Sequence, residues 1–76
     1  MNVQDIITQD KDILGGIPVF AGTRVPVDSL LSHLKVGVRL DEFLDDFPSV
    51  TRKQALALLD TMETLFLAEL GDMRAA

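Results

Sequence analysis

Cysteine, tryptophan and tyrosine are absent from this sequence, and histidine occurs once. Without cysteine a disulfide framework is impossible, and a zinc site built from Cys or clustered His is excluded with it. Basic residues are scarce as well: seven Lys and Arg stand against 12 Asp and Glu, for a net charge of −5. A nucleic-acid binder usually carries a basic footprint, so such a role would have to rest on a local patch. No run approaches the roughly 20 apolar residues of a membrane span, and no basic region leads into an apolar stretch at the N-terminus. These absences predict a soluble, cytoplasmic protein with no membrane partner.

Motifs for chemistry are missing too. There is no nucleophile motif, no phosphate-binding glycine loop and no cluster of metal ligands, so no catalytic residue, metal or cofactor is expected and the chain reads as a non-enzyme. His33 lies at the edge of a polar helix face with no orienting partner in sequence, and reads as a surface histidine. The carboxylates of Asp41, Glu42, Asp45 and Asp46 could hold a hard cation, but a solvated acidic face is the commoner arrangement.

What is present is a hydrophobic fraction of 47% in 76 residues, enough to argue against disorder. One domain of this size sits near the lower limit for a self-sufficient core, which favours association with a partner or a second copy. Three stretches divide it: β-strands and a hairpin over residues 1–27, three helices over 28–70, and a flexible tail over 71–76. Residues 3–7, VQDII, read as a short strand and TQDKD after them as a loop. The hairpin GIPVFAGTRVPV follows. With Gly22 at its tip, Val19 faces Val25, Ile17 faces Val27 and Pro18 faces Pro26; a register centred between Ala21 and Gly22 is the alternative. Opposed prolines would leave both strands only partly hydrogen-bonded.

From Val27 the apolar period becomes helical. Val27, Leu30, Leu31 and Leu34 predict a helix over 28–36, with Asp28 at its start and Gly37 as its stop. Leu40, Phe43, Leu44 and Phe47 predict a second over 40–47, ended by Pro48. A third begins at a capping box formed by Thr51 and Gln54, with Val50 as hydrophobic staple. On that helix Ala55, Leu58, Leu59, Met62, Leu65 and Phe66 share a broad face that should cover the other two helices. Leu56 and Leu67 lie nearly opposite, with Leu70 between. These leucines either present a partner surface or pack on the N-terminal strand and hairpin.

The second and third helices, joined by a short turn, have the layout of a helix-turn-helix, which nominates Thr51, Arg52, Lys53 and Gln54 as base-reading residues on operator DNA. The four acids of the preceding helix would then approach phosphate, so an ordinary helical hairpin is the competing reading.

The stretch GGIPVFAGTRVPVDSLLSHLKVG followed by LDEFLDDFPSVTRKQALALLD resembles the bacterial family called domain of unknown function 433. Gly16, Pro18, Gly22, Thr23, Arg24, Gly37 and Pro48 occupy its motif positions, and Arg39 departs from a Ser/Thr-like helix cap. The resemblance covers about Gly15 to Asp60. It implies a mainly α fold: small N-terminal β element, then a three-helix, helix-turn-helix-like (homeodomain-like) unit. It implies the role of antitoxin in a type II toxin–antitoxin pair, silencing a PIN-like nuclease encoded by the neighbouring gene; the opposed prolines of the hairpin and the small core predict a homodimer within that higher complex. The nuclease would then be met by Leu56, Leu65, Phe66, Leu67 and Leu70, with Arg74 reaching its acidic site. The hairpin reads as a rigid β-arm suited to pairing with another chain, and Thr23 and Arg24 either fix its turn or contact a partner.

Overall fold

The computed structural model describes the backbone of residues 3–75 and the side chains of residues 3–71. In chain order the elements are helix α1 (Val3–Ile6), strand β1 (Ile7–Thr8), a 3₁₀ turn (Leu14–Gly16), strand β2 (Val19–Phe20), and helices α2 (Val27–Lys35), α3 (Leu40–Asp46) and α4 (Arg52–Ala75). The molecule is mainly helical, with one small antiparallel sheet near its N-terminus.

The first segment corrects the expected strand over residues 3–7, most of which forms a single helical turn. Local propensity is overridden by burial: Ile6 sits in the core and α1 rests on α4. Only Ile7 of that segment is in a strand, where it pairs with Phe20, and Thr8 pairs with Val19.

The hairpin follows neither expected register. Val19 bridges Pro26, Phe20 N–H donates to Val25 O at 2.9 Å and Val27 N–H donates to Pro18 O at 3.1 Å. Pro18 therefore faces Val27, and the prolines are not opposed. The cause is Thr23. Its hydroxyl donates to Phe20 O at 2.8 Å and accepts from Val25 N–H at 3.0 Å, which places Arg24 in the loop and shifts the return arm by one residue. Gly22, with φ 76°, supplies the left-handed turn conformation. Because β2 has β1 on one side and the return arm on the other, the picture of a half-bonded arm awaiting another chain does not hold.

Helix α2 begins one residue early, after Pro26 in extended conformation, and ends in a Schellman motif. Gly37 at φ 86° donates to Leu34 O, and Val38 N–H donates to His33 O. Helix α3 follows Arg39, which makes no side-chain cap hydrogen bond, and stops before Phe47, pushed out of helical geometry ahead of Pro48. Helix α4 continues through Gly71, where the sequence suggested a stop. A lone glycine weakens a helix interior by only about 1 kcal/mol relative to alanine, and no proline follows.

Ile6, Phe20, Leu30, Phe43, Val50, Ala55 and Leu58 form one buried cluster that joins α1, β2, α2, α3 and α4. Val50 and Ala55, at the staple positions of α4, are both in it. The cluster ends there: Met62, Leu65 and Phe66, expected on the core face of α4, are exposed. At 1.5 Å per residue α4 is about 36 Å long, and a core this small covers only its first part.

Candidate functional site

Two regions hold the nominated residues, at opposite ends of α4. At the N-terminal end the capping box is closed in both directions. Gln54 N–H donates to Thr51 Oγ1 at 3.0 Å, and Thr51 N–H donates to Gln54 Oε1 at 3.0 Å. Gln54 also donates from Nε2 to Ala21 O at 2.9 Å, tying the start of α4 to the hairpin turn. Arg52 is hydrogen-bonded to Asp41 of α3, which also lies 3.8 Å from Arg39. The Arg52 hydrogen bond, then its charge, holds the Asp41 carboxyl below the ordinary carboxylate range; desolvation opposes them, and the Arg39 charge adds the least. Of the four residues nominated to read bases, three are thus engaged in internal contacts. Lys53 is exposed and makes no ion pair among the described residues.

The hairpin motif is structural where it can be followed. Thr23 builds the turn and Gly22 permits it, while Arg24 is exposed at the loop without an ion pair among the described residues. Gly16, at φ 94°, closes the turn that leads to Pro18. His33 is not the free surface side chain expected. It is half-buried, its ring edge-on to Phe43 and Phe47 at 5.3 and 5.6 Å, and Nδ1 lies 2.5 Å from Ser29 O. The α3 acids are exposed, and among the described residues no three or more His, Asp and Glu side chains come together as a metal site would need.

At the other end of α4 the apolar residues face solvent. Leu65 and Phe66 are each 64% exposed and Leu67 58%, with Leu70 also exposed, as is Leu56 back near the start of the helix. The leucines off the core face, Leu56, Leu67 and Leu70, are thus exposed rather than buried in the core. Met62 joins them, and sequence reasoning missed it because helical periodicity gives direction but not how far along the axis a neighbour extends. The side chain of Arg74 lies outside the described residues.

A small N-terminal sheet followed by packed helices, with a closed Gly-Thr-Arg turn tied to a capped long helix, defines a mainly helical module. Residues 7–60 match the family described as "Protein of unknown function (DUF433)", and the chain belongs to it. The fold is similar to the crystal structure of a DUF433 member protein from Anabaena variabilis, with a TM-score of 0.68 and 26% identity over 82% of this chain and 61% of that one. Uncharacterized protein y4eO of Sinorhizobium fredii is 40% identical over 47 residues, 62% of this chain and 21% of its own length. The chain thus spans less than two thirds of either relative. The family match ends at Asp60, before Met62, Leu65, Phe66, Leu67 and Leu70 of α4. No described helix is long and apolar enough to cross a membrane.

Proposed function

We propose that this chain is the antitoxin of a type II toxin–antitoxin pair, a cytoplasmic protein without catalytic activity that binds a PIN-like nuclease and silences it. In this reading α2, α3 and α4 form a helix-turn-helix-like, homeodomain-like support from which the outer half of α4 projects. The observation that carries the proposal is the exposure of Leu65, Phe66, Leu67 and Leu70 on a helix beyond the domain's own core. Exposed apolar side chains of this kind favour insertion into a partner's groove. Leu56 extends the contact toward the domain, and Arg74 would reach the acidic nuclease site.

Operator DNA is the weaker partner. Thr51, Arg52 and Gln54 are already occupied, and the α3 acids lie on the adjoining helix where phosphate would have to approach. A homodimer remains part of the proposal on the ground of the small core alone, since the opposed prolines that first suggested it are not present.

The test is co-expression with the nuclease of the adjacent reading frame. The double substitution Leu67→Asp and Leu70→Asp should leave the fold intact, with unfolding stability changed by less than about 0.5 kcal/mol, because both sites are exposed. Rescue of growth should be lost, because a desolvated, unpaired interface charge costs several kcal/mol. Arg74→Ala should weaken rescue less. A folded double variant that still rescues cells overturns the proposal.

A further inference from the structure

From Asp60 to Met73 α4 is rich in apolar residues, but it is also charged with a single sign. Asp60, Glu63 and Glu69 are exposed there, and none forms an ion pair among the described residues. No Lys or Arg occurs from Gln54 to Met73. Glu63 stands three residues before Phe66 and four before Leu67; Glu69 stands three after Phe66 and four after Leu65. On a helix these separations are neighbours on one face. A groove that buries Phe66 therefore brings a carboxylate to its edge on the turn before and the turn after. Leaving those carboxylates dehydrated without a counter-charge would cancel much of the gain from burying the ring.

The same spacing decides against a second copy of this chain as the occupant. In an antiparallel two-fold contact centred on Phe66, Glu63 of one copy would meet Glu69 of the other; in a parallel contact each acid would meet its own counterpart. Both arrangements set like charges against each other, and anionic lipid or nucleic-acid phosphate would be repelled in the same way.

We infer that the outer half of α4 is a docking helix for a protein groove that is apolar at its floor and lined with Lys or Arg at its rim. The inference rests on the antitoxin reading for the identity of the partner, but the chemistry of the surface can be examined without it. The full chain is titrated with two synthetic amphipathic helices, one with leucine opposite lysine, the other with leucine opposite glutamate. The lysine peptide should bind at least roughly tenfold more tightly than the glutamate peptide, a difference that shrinks as salt rises. Leu67→Asp with Leu70→Asp should then abolish binding of the lysine peptide although it adds two negative charges. Attraction by charge alone would be strengthened by that change, so retained or improved binding overturns the inference. Equal affinity for the two peptides overturns it as well. So does sedimentation showing a wild-type dimer that the double substitution converts to monomer, which would make the second copy the occupant. If the lysine peptide behaves as expected and the adjacent nuclease does not bind, the surface chemistry stands and the antitoxin reading fails.

Discussion

Asp41 and Arg52 show how a residue nominated for one task is engaged in another. Arg52 is the first residue of α4, where a recognition helix would present a base-reading side chain, yet it is bonded to a carboxylate on α3. Because the folded-state Asp41 pKa is lowered, the pair's contribution is present above the ordinary carboxylate range and lost as pH falls through the folded value. Both side chains are more than half exposed, so solvent screening keeps the stability effect small. Arg52→Ala should return Asp41 to the ordinary range in a carboxyl-resolved NMR titration. An unchanged Asp41 titration would mean that the bond does not persist in solution. Thr23 is the second such residue. Its motif position left open whether it fixed the turn or met a partner, and its hydroxyl is occupied on both its donor and acceptor sides within the turn.

Among the elements, α2, α3 and the start of α4 were legible because each carries its own punctuation. The apolar spacing, Gly37, Pro48 and the Thr51–Gln54 box act within a few residues, so sequence exposes them directly. What could not be read depended on contacts distant along the chain: the helical turn at Val3–Ile6, stabilised by burial of Ile6, and the hairpin register, shifted by one hydroxyl. Gln54 belongs to both groups. Its capping role is local, while its bond to Ala21 O spans 33 positions and has no signature in sequence. Gln54→Ala should cost about 1–2 kcal/mol in urea unfolding, the combined loss of a cap and a hydrogen bond. Gln54→Glu keeps the acceptor for Thr51 N–H but not the amide donor to Ala21, so any cost it shows isolates the hairpin tie. If Gln54→Ala leaves stability unchanged, that tie contributes nothing.

For the whole molecule, the division of α4 into a supported and an unsupported half is the main fact that periodicity hid, since the same apolar stripe runs through both. Leu58→Ala should cost about 2–4 kcal/mol, as deletion of a buried leucine does. Phe66→Ala should stay within about 0.5 kcal/mol. Equal costs would mean that the outer half is covered in the free protein. The division also bears on how long the chain survives in a cell. Fewer than about 12–15 residues of helix are marginal in water without tertiary support, so the outer turns of α4 open far more often than the domain unfolds. Each opening offers extended backbone to a protease, and a bound partner would withhold it. Free copies should therefore be turned over faster than occupied ones. Limited proteolysis should cut between Met62 and Gly71 first, and a first cut within residues 27–58 would show instead that the domain, not its projecting helix, sets the lifetime.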